Sequence, residues 1–156
     1  MVNSVVLARI LKQIYQPFDL ASFENRLKLQ KIIYLLQASG INLGFQFSLY
    51  INGPYSPDLT RTAYCVESFN DTPPVNFEDE QMVQKFEMFC MNVNDHKNDT
   101  QWLEAAATIH LFSKMHQDQN PDEILRLVNA QKPHLTVEYL KQVMEGLSKW
   151  LIINLN

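Results

Sequence analysis

Four histidines, two cysteines and one acidic run are the residues in this 156-residue chain whose types could support catalysis or metal binding. His96, His110, His116 and His134 stand singly, with no HExxH pattern and no cysteine or carboxylate at ligand spacing on the same helical face, so metal binding is not expected. His110 lies beside an apolar stripe and reads as a packed histidine. Cys65 and Cys90 sit inside apolar helical patterns without the paired spacing of a zinc or redox motif, which suggests reduced core thiols in a cytoplasmic protein. The carboxylates of Glu78, Asp79 and Glu80 fall in a first helical turn, where the helix dipole already explains them. Four glycines, at 40, 44, 53 and 146, cannot build a phosphate-binding loop, and no serine sits in a nucleophile elbow. The expectation is a protein that is not an enzyme and carries no cofactor.

A binding function is better served by the unit Gln46 to Arg61. Tyr50 lies on the polar face of an alternating segment, Tyr55 follows the turn Asn52-Gly53-Pro54, and Arg61 is on the helix behind it. Aromatic and arginine side chains held on a turn between regular elements suit a protein-binding hot spot. The alternative is that Tyr55 packs over a turn whose geometry Gly53 and Pro54 set. Lys28 and Lys31 on the preceding helix read as its solvated face.

The elements that must position these residues are mostly helical. Leu7, Ile10, Leu11 and Ile14 predict a first helix ending near Gln16, before Pro17. Leu29, Ile32, Ile33 and Leu36 predict a stronger one from about Glu24 to Ser39, with Gly40 as its stop. The period then changes to two: Phe45, Phe47, Leu49 and Ile51 should face the core, with Gln46, Ser48, Tyr50 and Asn52 opposite. Ser56-Pro57-Asp58 is a helix start, and Leu59, Ala63 and Val66 predict that helix to about Phe69, before a loop at Asp71-Thr72-Pro73-Pro74. Met82, Phe86, Phe89 and Val93 mark a fourth helix, and Trp102, Ala105, Ala106, Ile109 and Phe112 a fifth. Asn120-Pro121-Asp122-Glu123 opens a short sixth. Thr136 caps a last one carrying Leu140, Val143, Met144, Leu147, Trp150 and Leu151. The sum is a single mainly α domain of about seven helices with one short strand or hairpin and a winged-helix-like front half.

Composition agrees with that class. The chain is 46% apolar and 19% charged with few Gly and Cys, which excludes disordered, collagen-like and cystine-rich scaffolds. Its net charge of -4 disfavours bulk attraction to nucleic acid. The order of elements after Arg26 keeps a winged-helix-derived DNA-binding regulator as the alternative function. Against it, the helix that would read DNA starts with three carboxylates and has Lys85 as its basic residue. The N-terminal residues have no cationic leader pattern and no segment approaches the length of a membrane span, so no membrane association is expected.

Two segments carry a resemblance. Leu29-Gln30-Lys31-Ile32-Ile33-Tyr34-Leu35-Leu36-Gln37 and Tyr50-Ile51-Asn52-Gly53-Pro54-Tyr55-Ser56-Pro57-Asp58-Leu59 are similar to the front of the Panacea family, which includes SocA-type antitoxins and mobile-element proteins. The similarity covers about residues 26 to 66. In place of the Trp that antitoxin members usually carry before Gly-Pro stands Tyr50, as in a side branch of the family. The resemblance implies a small helical protein that neutralises a cognate toxin by direct binding and, in some members, presents it to a protease. Gln30, Lys31 and Tyr34 match the first motif, and Gly53, Pro54 and Tyr55 the second. The expected partner-binding residues are therefore Lys31, Tyr50, Gly53, Pro54, Tyr55 and Arg61, with a protein as partner and nucleic acid not expected.

Overall fold

The computed structural model describes residues 4–66, 68–69, 71 and 73–151. Thr72 of the expected loop and Glu67 of the expected third helix lie outside them. The order is α1 (Ser4–Ile14), α2 (Phe23–Ala38), β1 (Ser48–Tyr50), β2 (Gly53–Tyr55), α3 (Pro57–Tyr64), α4 (Glu80–Val93), α5 (Thr100–Met115), α6 (Pro121–Gln131) and α7 (Val137–Leu147). This is a mainly α domain with one small antiparallel hairpin. Among the described residues, no helix is long and apolar enough to cross a membrane.

Local chemistry accounts for where the helices begin. From α2 onward each starts behind a short polar residue, Ser22, Ser56, Asp79, Asp99, Asn120 or Thr136, whose side chain accepts a hydrogen bond from an amide of the first turn. Proline at the first position of α3 and α6 gives up an amide hydrogen that no helical carbonyl would have used. Burial then orders the helices around α5, which packs against α2, α6, α7 and β2. Its Ala105, Ala106 and Ala107 are fully buried, and such small side chains let neighbouring backbones come close.

Four expectations are corrected. The alternating segment is not one long strand. Ile41, Leu43 and Phe45 are buried while Asn42, Gly44 and Gln46 are exposed, yet the ladder spans only Ser48–Tyr50 against Gly53–Tyr55. Before that, the Gln37 side chain stands in for a neighbouring strand, donating to Phe45 O and accepting from Phe45 N, both at 3.0 Å. Ile51, expected in the core, is 89% exposed because the chain reverses there. α3 stops at Tyr64, leaving Cys65 as an exposed helix cap rather than a core thiol, and Cys90 is only half-buried. Trp150 lies beyond the end of α7 and packs edge-on against Phe89, with ring centroids 5.9 Å apart.

His110 is packed, as its position on an apolar stripe suggested. Its Nδ1 and the Tyr34 hydroxyl are hydrogen-bonded at 2.8 Å in the interface of α2 with α5. Burial, helped by the charge of Lys114, pushes its pKa down to about 4, so the ring is neutral at pH 7.

Candidate functional site

The motif residues converge where α2, the hairpin and α3 meet. Gln30, buried on α2, reaches the residue that joins β2 to α3. Its Oε1 accepts from Ser56 N at 2.8 Å, and its Nε2 donates to Ser56 O at 3.0 Å and to Thr60 Oγ1 at 2.8 Å. The Thr60 hydroxyl in turn donates to Tyr55 Oη at 3.0 Å. One glutamine thus bonds both backbone groups of a buried residue, which an apolar side chain could not do. Gln30→Leu should cost about 2 kcal/mol, chiefly by leaving the buried Ser56 N unpaired while Ser56 O keeps its bond from Thr60 N, measurable as a lower urea midpoint with an unchanged m-value.

Two ammonium groups hold the turn from behind. Lys31 Nζ donates to Pro54 O at 2.6 Å, and Lys132 Nζ donates to Ile51 O. Glu104 on α5 lies 3.6 Å from Lys132 Nζ and 2.9 Å from His134 Nε2. Lys31 is only 2% exposed. Burial pushes its pKa down to about 7, with Lys132 adding to the fall and Glu104 opposing it. Gly53, at φ +95°, lets the turn press against α5, since a Cβ there would lie 2.7 Å from Thr108 Oγ1.

In front of this support is a cavity of about 350 Å³ whose walls are largely apolar and aromatic. Leu20, Leu27 and Leu29 contribute from the α2 side, and Tyr55 from the hairpin. Large apolar side chains around it face solvent on consecutive elements: Phe23 is 58% exposed, Tyr50 49%, Ile51 89% and Tyr64 59%. The Tyr50 and Tyr55 rings meet edge to face with centroids 5.0 Å apart.

The six expected partner-binding residues separate into three groups. Tyr50 and Tyr55 line the cavity and present surface. Gly53, Pro54 and Lys31 are buried and form its support, with Gly53 and Lys31 also contributing to the wall. Lys31 is not on a solvated face: Leu29 through Leu36 are all buried, because α5 and the hairpin cover sides of α2 that its apolar stripe leaves polar. Arg61 is not a wall residue; it points into solvent and pairs with Asp58. Phe23 and Tyr64 on the rim, and Glu104, Thr108 and Lys132 behind the turn, were not singled out by the sequence. They belong to separate segments that only folding brings together. Among the described residues, no group of three or more His, Cys, Asp or Glu could hold a metal ion. Comparison of the chain with family models, with curated proteins and with solved structures finds no match.

Proposed function

We propose that this protein is an interaction module that grips a segment of another polypeptide in the aromatic-rimmed cavity between α2, the hairpin and α3. The observation that carries this reading is the exposure of Phe23, Tyr50, Ile51 and Tyr64 around one concavity. Apolar area gathered in this way gains free energy when a partner covers it, and aromatic anchors around a pocket are where binding energy concentrates. The support is tied by hydrogen bonds from Gln30, Lys31 and Lys132, which lowers the ordering entropy that opposes association. The resemblance of residues 26 to 66 to the Panacea family adds the partner's identity to the proposal: a cognate toxin, neutralised in the cytoplasm by direct binding, with a protease as a second partner in adaptor members.

Coexpression with the product of the adjacent open reading frame tests it. The two proteins should copurify, and growth arrest by the neighbour alone should be relieved. Ile51→Asp and Tyr50→Ala should each weaken the complex about tenfold or more, while shifting stability by no more than about 1 kcal/mol, since both side chains are substantially exposed. A harmless neighbour that does not copurify overturns the antitoxin reading. Salt-sensitive binding to the protein's own promoter duplex would favour the DNA-binding regulator instead.

A further inference from the structure

The composition of the cavity wall narrows what it can hold. Its charged members are Arg26 and Lys31, both cations, and no carboxylate is among the wall residues. Several of the polar groups there are already engaged. Gln30 and Thr60 are bound to Ser56 and Tyr55, and Arg26 Nη1 donates to Leu20 O and Ala21 O at 2.9 and 3.2 Å. Lys31 differs. An ammonium has three hydrogens to donate, and among the described residues Lys31 Nζ donates to Pro54 O. Glu104 already bridges Lys132 and His134. A buried cation short of acceptors therefore stands in the wall of an apolar cavity that is open to solvent at an aromatic rim.

We propose that this cavity binds a carboxylate carried on an aromatic or branched aliphatic group, with the apolar part among Phe23, Leu27, Tyr50 and Tyr55 and the carboxylate facing Lys31. Two sources share that chemistry, the C-terminal residue of a polypeptide and a free organic acid; in the first case the assignment rests on the interaction reading above. Charge complementarity is what selects the acid. An amine would meet Lys31 and Arg26, and a neutral amide would leave the ammonium as poorly accepted as before. The groups whose charge acts on Lys31 are Glu104 from α5, which favours its protonated form, and Lys132 from the end of α6, which opposes it. His134 lies beyond Glu104, and Lys28 on α2 pairs with Glu24 at 3.8 Å. Because burial keeps Lys31 only partly protonated at neutral pH, a bound carboxylate draws a proton onto it, and binding weakens as pH rises.

The test is titration of the full-length protein with 3-phenylpropionate and with its neutral analogue 3-phenylpropanamide, followed by amide chemical shifts at about pH 6 and about pH 9. The acid should bind at least about tenfold more tightly than the amide at the lower pH, lose most of that advantage at the higher pH, and shift Gly53, Tyr55 and Lys31. Lys31→Met should remove the preference, so that acid and amide bind alike. Equal binding of acid and amide to the wild-type chain, a pH-independent preference, or shifts confined to another face would each overturn the assignment, whether or not the Lys31 variant folds. A short peptide ending in Phe with a free carboxylate, compared with its C-terminal amide, separates the sources. Tighter binding than 3-phenylpropionate assigns the site to a chain end, and weaker binding assigns it to a free acid. Copurification of a partner without any acid preference removes this assignment alone, whereas acid preference without copurification keeps the site and removes the neighbouring gene product as its partner.

Discussion

Gly53→Ala should destabilise the fold by about 4 kcal/mol, the largest loss expected from any single methyl group in the hairpin. Two terms contribute. At φ +95° an L-residue is strained by about 1–2 kcal/mol where glycine is not. The new Cβ would also lie 2.7 Å from Thr108 Oγ1, a separation that real Cβ atoms do not tolerate, and overpacking of this kind costs about 1–3 kcal/mol. Relief by movement is difficult, since Thr108 is fully buried on α5 and the turn is tied by Lys31 and Lys132. Urea unfolding of Gly53→Ala, Thr108→Ala and the double variant separates the terms. Because Thr108 Oγ1 has no hydrogen-bond partner among the described residues, its removal sacrifices none of their bonds, and the double variant should recover the steric part and keep only the backbone strain. A loss below about 1 kcal/mol in Gly53→Ala would show that the turn does not press against α5.

The second large effect is one of pH. The Lys31 amine has a pKa of about 7 in the folded protein, against an ordinary value of 10.5, chiefly because it is buried. Between those values the unfolded chain binds more protons than the folded one, so stability must rise with pH across that interval; below about 7 both states are protonated and the dependence on this group vanishes. At higher pH other groups oppose the rise. Burial raises the pKa of Cys90 and of the Tyr15 and Tyr34 hydroxyls, so the unfolded chain loses those protons first. The clearest window is therefore about pH 7 to 9, where stability should increase by about 2 kcal/mol. In Lys31→Met the same window should be nearly flat. A wild-type profile that does not rise across it would mean that Lys31 keeps its proton in the fold, held there by Glu104.

These two residues illustrate how differently the positions of the site could be read from sequence. The Gly53-Pro54 turn is visible because glycine and proline are local signals with local consequences, and Ser56-Pro57 marks the start of α3 for the same reason. The fate of Lys31 is not visible. Its place on α2 fits a polar flank of the Leu29, Ile32, Ile33, Leu36 stripe, and nothing within a turn of it says that β2 and α5 close over that flank. Gln30 likewise stands out in the sequence only as part of a motif, although it carries the joint between β2 and α3. For residues 41–47 the alternation itself was informative and its interpretation incomplete: period two reports which side chains are buried, whereas the hydrogen-bonding partner can be a strand or, as here, the single side chain of Gln37.

What the chain encodes locally is the set of helices, their starts, and the mainly α class. Caps, proline positions and 3.6-residue stripes act over three or four residues, so tertiary context had little to overrule. What only the tertiary structure decided is the site: a cavity with Tyr50 and Ile51 outward, Lys31 inward, and a turn tied to Lys132 across 81 residues of sequence. Solvent access and electrostatic environment are properties of neighbours in space, and a lysine becomes a buried amine only when distant segments displace the water around it.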